Sequence, residues 1–182
     1  MKRFVVLLAV LLSGCGIAYQ ERIETVRVSK DRTAALSRDA SFVIAVQGEG
    51  KYRHKVKRGS GGQARNAMSI AVSRHAKRVS TIEQFMTEAD ARTDAKRQNA
   101  DYLIYLDILN WEERQTAWSG LPDRMEIHIR TIDAKNGRVV DDLIVMGNSK
   151  WATLGGDHVD DLLPKPFTNY ADSIFGSAST KN

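Results

Sequence analysis

Residues 41–176 predict an α/β fold, an α+β sandwich on a mixed sheet of about five strands in the order β-α-β-α-β-β-β-α. Two apolar runs, Ser41–Val46 and Asp101–Trp111, carry apolar side chains on both faces, as strands covered by helices do. Helical periodicity fills the interval between them. Beyond them Met125–Thr131 alternates apolar and polar residues, and Asn136-Gly137 supplies a tight turn for an antiparallel return.

The elements follow in order. Ser41–Val46 is a strand near the sheet centre, followed by a Gly-rich basic loop from Gly48 to Gly62. From Gln63 to about Lys77, Ala64, Ala67, Met68, Ala71, Val72 and His75 recur at helical spacing on one face. Val79–Phe85 is a weaker strand, and Glu83 inside it argues for an edge. Thr87-Glu88-Ala89-Asp90 resembles a capping box with Asp in the Glu position and opens a polar helix running to about Asn99. Asp101–Trp111 is the strongest strand and belongs at the centre; Val139–Trp151 returns antiparallel after Met125–Thr131. Pro164 and Pro166 introduce a last helix, Phe167–Phe175.

Ahead of this domain, Met1-Lys2-Arg3 precedes nine apolar residues, Phe4 to Leu12, and then Ser13-Gly14-Cys15. Nine residues fall short of the roughly 20 that a membrane-spanning helix needs, so the segment reads as an export leader over residues 1–14. Cys15 is the only cysteine, which excludes a disulfide within the chain. The Leu12-Ser13-Gly14-Cys15 pattern is similar to the lipobox of bacterial lipoproteins. That resemblance implies a diacylglycerol on the Cys15 sulfur, cleavage before Cys15 and acylation of the new amine. Two or more acyl chains give stable anchoring. In such lipoproteins an Asp in the place of Gly16 marks inner-membrane retention; its absence points to the outer membrane, facing the periplasm. Residues 15–40 then read as the lipidated cysteine and a tether, with Ile23–Val28 able to pair as a short strand or stay loose, and 177–182 as a disordered tail.

Charge is unevenly placed. The sequence has 27 basic and 22 acidic residues, and removing Lys2 and Arg3 with the leader leaves a net charge of +3. Between Lys51 and Arg78 lie nine cations, Lys51, Arg53, Lys55, Lys57, Arg58, Arg65, Arg74, Lys77 and Arg78, without one Asp or Glu. Such a run is either a solvated face or a surface for anions.

If the two buried strands are parallel, their C-terminal ends share one pole with the basic loop, with Trp111, Trp118 and Trp151, and with Arg124 and His158. Ligands in open α/β sheets bind beyond such strand ends. The candidate binding residues are therefore Lys51, Arg53, Lys55, Lys57, Arg58, Trp111, Trp118, Arg124, Trp151 and His158. The tryptophans are either caps on the core or ligand platforms. Gly59-Ser60-Gly61-Gly62 before a helix is able to cradle a phosphate, yet it lacks the Lys and Ser/Thr of a P-loop. His158 with Asp157, Asp160 and Asp161 lacks the spacing of a zinc site, so no metal is assigned. Glu112 and Asp123 form a conceivable acid/base pair with nothing to mark the raised-pKa partner. No catalytic residue and no cofactor are assigned.

Ala100-Asp101-Tyr102-Leu103-Ile104, Trp111-Glu112, Trp118-Ser119-Gly120, Pro122-Asp123-Arg124 and Asp133–Val139 resemble a family of uncharacterised bacterial lipoproteins, as do Ser149–Thr153, Gly155–His158 and Asp161–Pro164. More distantly, strand order and the Asp133–Val139 turn resemble the N-terminal domain of the Tol-system periplasmic protein and the lipoprotein activators of penicillin-binding proteins. The resemblance implies a binding module, not an enzyme. The expectation is a membrane attachment through Cys15 and a glycan, lipid or protein partner in the cell envelope. Nucleic acid is excluded by compartment. Self-association through a sheet edge and wall hydrolysis are the alternatives.

Overall fold

The computed structural model describes residues 22–28, 35–113, 122–149 and 159–176. Strand β1 (Arg22–Arg27) comes first, then β2 (Ser41–Val46), the short β3 (Lys51–Tyr52) and β4 (Lys55–Val56), and helix α1 (Ser60–Ser73). They are followed by β5 (Arg78–Thr81), α2 (Glu88–Arg97), β6 (Tyr102–Glu112), β7 (Arg124–Asp133) and β8 (Val139–Asn148). A 3-10 turn at Val159–Leu162 leads into α3 (Pro164–Ile174).

The main sheet is mixed and six-stranded, ordered β1-β8-β7-β6-β2-β5, and β3 pairs with β4 in a separate hairpin. β2 is parallel to β6 and to β5, as a chain that crosses back through helices requires. β2 is nonetheless one strand in from the edge rather than central, and β5 is the edge that Glu83 foretold.

The period-2 alternation of β2 splits the core. Phe42, Ile44 and Val46 join Ile104, Leu106, Ile127, Ile129, Leu143 and Val145 beneath α1 and α3. Val43 and Ala45 face the other way, with Leu103, Tyr105 and Ile132 under Ala91 and Ala95 of α2. Hydrophobic burial on both faces is what makes β2 and β6 read as continuous apolar runs.

Element ends depart from the local signal for identifiable reasons. Helix α1 starts at Ser60 instead of Gln63 because a distant carboxylate holds its first turn, as described below. Strand β5 stops at Thr81 because the Arg65 guanidinium takes the carbonyls of Ile82 and Glu83 at 3.2 and 2.9 Å. Helix α3 begins at Pro164, which has no N–H to leave unsatisfied at a first helical position. Thr87 caps α2 as expected: its hydroxyl accepts the Asp90 N–H and donates to the Asp90 carboxylate at 2.7 Å.

Within the stretch expected as a tether, the alternative of a short paired strand holds. Arg22–Arg27 pairs along its whole length with β8 in antiparallel register. The strand is fixed by an ion pair from Arg27 to Asp141, whose carboxylate is almost fully buried.

Candidate functional site

The C-terminal ends of β2, β6 and β8 and the N-terminus of β7 meet at one pole of the sheet, and register makes Arg22, Asn148, Arg124 and Glu112 one cross-strand row. The basic β3–β4 hairpin leaves β2 there and lies against the end of β6. Gly50 makes this contact close. A Cβ on Gly50 would stand 2.6 Å from the Trp111 Cβ and 2.9 Å from Ile108 Cγ2, so only glycine lets the backbone rest on that surface.

The base of the hairpin is stitched to the start of α1. The Gly50 N–H donates to the Ser60 hydroxyl at 2.7 Å, and the Lys57 N–H donates to the Gly50 carbonyl at 2.9 Å. The Glu49 carboxylate accepts the N–H groups of Gly59 at 2.7 Å and Gly61 at 2.8 Å. The reading of Gly59–Gly62 as a phosphate cradle is therefore corrected: the anion at this helix N-terminus is the chain's own glutamate. Burial works to raise the Glu49 pKa, but the Gly61 and Gly59 N–H groups, the Ser60 hydroxyl and the Arg65 charge outweigh it and hold the carboxyl below its ordinary value.

Between the hairpin and β6 opens a cavity of about 540 Å³, lined by Tyr52, Arg53, His54, Lys55, Val56, Lys57, Trp111 and Glu113. That volume is within the range of small-molecule sites. Arg53, at the hairpin turn, has a positive φ of 54°, and its guanidinium lies over the Tyr52 ring at 5.2 Å. A positive φ is what a two-residue hairpin turn asks of its first position. Lys57 pairs with Glu113 across the cavity wall. Lys51, Arg53, Lys55 and Arg58 are exposed, and so is Arg124 at the head of β7.

The structure thus brings together Lys51, Arg53, Lys55, Lys57, Arg58, Trp111 and Arg124 from the sequence-derived site. Trp118, Trp151 and His158 lie outside the described residues. Trp111 is 2% exposed, a floor beneath the hairpin and not an open platform, and its indole N–H has no hydrogen-bond partner among the described residues.

The run of nine cations does not form one face. Helix α1, about 21 Å long at 1.5 Å per residue, separates its two ends. Arg65 is buried and grips the chain after β5. Arg74 reaches Thr168 of α3, Lys77 pairs with Asp39 at 2.8 Å, and Arg78 bonds the Asp39 carbonyl. Tyr52, His54, Val56 and Glu113 complete the cavity; of these the sequence places Glu113 at this pole, and the other three were not among the candidate binding residues. The turn-length gap between Lys51-Tyr52 and Lys55-Val56 was the available signal for the hairpin that presents them.

Other polar groups bridge elements of the fold. His75 bonds Asp172 at 2.8 Å, joining the turn after α1 to α3, and His128 bonds Asp142 across β7 and β8. Glu112 and Asp123 are both buried and both engaged by other groups. Among the described residues no three His, Cys, Asp or Glu side chains are grouped to hold a metal, and no helix is long and apolar enough to cross a membrane.

Residues 34–174 match the family described as "Domain of unknown function (DUF4823)". No curated protein matches the chain. Among solved structures, the PelC dodecamer from Paraburkholderia phytofirmans superposes with a TM-score of 0.55 at 15% identity, covering 90% of this chain and 100% of that one. A substituted variant of the same dodecamer gives 0.54 at 16%, covering 87% and 97%. Lipoprotein GNA1162 from Neisseria meningitidis gives 0.47 at 14%, covering 76% and 99%. At these identities the likeness to PelC is one of fold.

Proposed function

The chain belongs to the DUF4823 family, and from that premise we propose that it is a lipid-anchored envelope protein, attached at Cys15 to the periplasmic face of the outer membrane. There it serves as a non-catalytic binding module for an anionic component of the cell envelope.

The observation that carries this reading is the cavity under the β3–β4 hairpin. An apolar wall of Tyr52, Val56 and Trp111 stands beside Arg53, Lys55 and Lys57, with Lys51 and Arg58 exposed on the same hairpin. Apolar walls with a few placed charges are the chemistry of ligand recognition. Phosphates of lipopolysaccharide and carboxylates of peptidoglycan are the anions such a site would meet in this compartment. The cavity lining is chiefly cations and rings, with the Glu113 carboxylate taken up by Lys57. The proposal includes no metal, no cofactor and no nucleic acid.

Co-sedimentation of the protein with purified peptidoglycan sacculi and with lipopolysaccharide, at low and high salt, tests it. Salt-sensitive pelleting that is lost in a Lys51→Glu, Lys55→Glu, Arg58→Glu variant of unchanged circular dichroism supports the reading. Equal pelleting of variant and wild type refutes it.

A second reading is self-association through a sheet edge. It is favoured by Val26, exposed on the edge strand β1, and by Val28 just beyond it, while the PelC structure is described as a dodecamer. Concentration-dependent sedimentation would support it, and a monomer across the accessible range would oppose it.

A further inference from the structure

β1 runs antiparallel to β8 from Arg22, so the chain enters the domain at the hairpin pole: Arg22 stands in the same cross-strand row as Glu112, at the end of β6. Three strand spacings separate β1 from β6, roughly 14 Å. Seven residue steps separate Cys15 from Arg22, a maximum reach of about 24 Å when fully extended. The opposite pole, where β6 begins at Tyr102, is about 34 Å away along the strand. A lipid on Cys15 therefore cannot let that far pole rest on the bilayer, because the connecting chain is shorter than the domain is deep.

The two poles also differ in how their cations are held. At the far pole three of them rest on carboxylates, Lys77 on Asp39 at 2.8 Å and Lys135 and Arg78 on Asp101 at 2.8 and 3.9 Å, while Arg138 is exposed without an ion pair among the described residues. At the near pole Lys51, Lys55 and Arg58 are exposed and make no ion pair among the described residues. Val56, 53% exposed, sits among them. Unpaired cations flanking an exposed apolar side chain suit the charged and interfacial layers of a membrane.

We infer that the β3–β4 hairpin faces the leaflet that holds the anchor and docks on the anionic headgroups of its lipids. The inference rests on the reading of Cys15 as the lipidated residue, and it commits the exposed cations of the hairpin to phospholipid headgroups in place of the glycan or lipopolysaccharide named above. The short connection holds the hairpin where it meets the headgroups, and the exposed cations keep it there. Such contacts fade with salt, since the screening length is about 8 Å at physiological ionic strength.

Lipidation consumes the one native thiol, so an introduced cysteine is the single labelling site. The full lipidated protein, labelled with a fluorophore at Val56→Cys on the hairpin or Arg138→Cys at the far pole, is reconstituted into two kinds of vesicle. One is three parts phosphatidylcholine to one part phosphatidylglycerol, the other phosphatidylcholine alone, each with a headgroup-borne quencher. The inference predicts at least about threefold stronger quenching at Val56→Cys than at Arg138→Cys on the anionic vesicles, and a smaller difference after Lys51→Glu, Lys55→Glu and Arg58→Glu. Quenching of Arg138→Cys equal to or above that of Val56→Cys overturns it, as does a Val56→Cys signal indifferent to phosphatidylglycerol and to the charge reversals. Mass spectrometry of the purified protein separates the two levels. Lipidated Cys15 with the wrong quenching order sinks the orientation alone, while an unmodified Cys15 sinks the anchor reading with it.

Discussion

The Glu49 carboxylate accepts the Gly61 backbone N–H at 2.8 Å, tying the end of β2 to the first turn of α1 across the root of the basic hairpin. This bond and its counterpart from Gly59 fill a helix N-terminus that the sequence offers to an outside anion. Replacing Glu49 by Gln should lower stability by about 1–2 kcal/mol, the range for a lost cap and its charge-assisted bonds. The pKa of Glu49 is lowered in the folded state, so its contribution is complete above the ordinary glutamate value of 4.5 and is lost as pH falls through the depressed one. Denaturant titrations at neutral and acid pH should show the gap between wild type and Glu49→Gln closing on acidification.

Asp101 provides a second acid-sensitive link, at the other end of the sheet. Its carboxyl is held down to about 2, first by the Lys135 ammonium and then by the Ser41 N–H, against the opposing effect of burial. Its stabilisation is present above the ordinary aspartate value of 3.8 and disappears toward pH 2. Asp101→Asn should cost at most about 2 kcal/mol at neutral pH and leave a shallower acid limb, as followed by circular dichroism.

Gly50→Ala drives a methyl group into Trp111 and Ile108, neither of which is free to move at the end of a paired strand. A loss of about 1–3 kcal/mol is expected for this overpacking. Because the hairpin must lift to admit the methyl group, binding to anionic envelope components should weaken more than stability does. Thermal melts and co-sedimentation on the same preparation give the comparison.

Arg27→Ala leaves the buried Asp141 carboxylate without its cation, a change that costs about 3–5 kcal/mol when the partner stays charged. Adding Asp141→Asn should recover most of that loss. Hydrogen exchange would show β1 and β8 opening together in the single variant, and the register of Arg22 with Asn148 surviving in the double.

The elements legible in the sequence are those whose signal is local. The apolar run of β2, the alternation of β7 and the Thr87 cap of α2 each sit within a few residues of the structure they specify. What was not legible depends on distant partners. The early start of α1 needs Glu49, eleven residues ahead of its first helical residue, and β1 carries mostly exposed side chains whose place is fixed by β8. The basic site was visible as a charge run, but its division between two poles follows from the length of α1. Trp111 read sooner as a cap on the core than as a platform, and its burial under Gly50 makes it the floor.

The most direct measurement of the central claim is the indole N–H resonance of Trp111 in a nitrogen-15 spectrum, assigned by Trp111→Phe and followed during titration with lipopolysaccharide and with soluble peptidoglycan fragments. Binding beneath the hairpin predicts a saturable shift of this resonance with one of them, suppressed by salt and absent in the Lys51→Glu, Lys55→Glu, Arg58→Glu variant. A Trp111 resonance that stays in place while either ligand binds elsewhere, or a shift that survives the charge reversals, would contradict it.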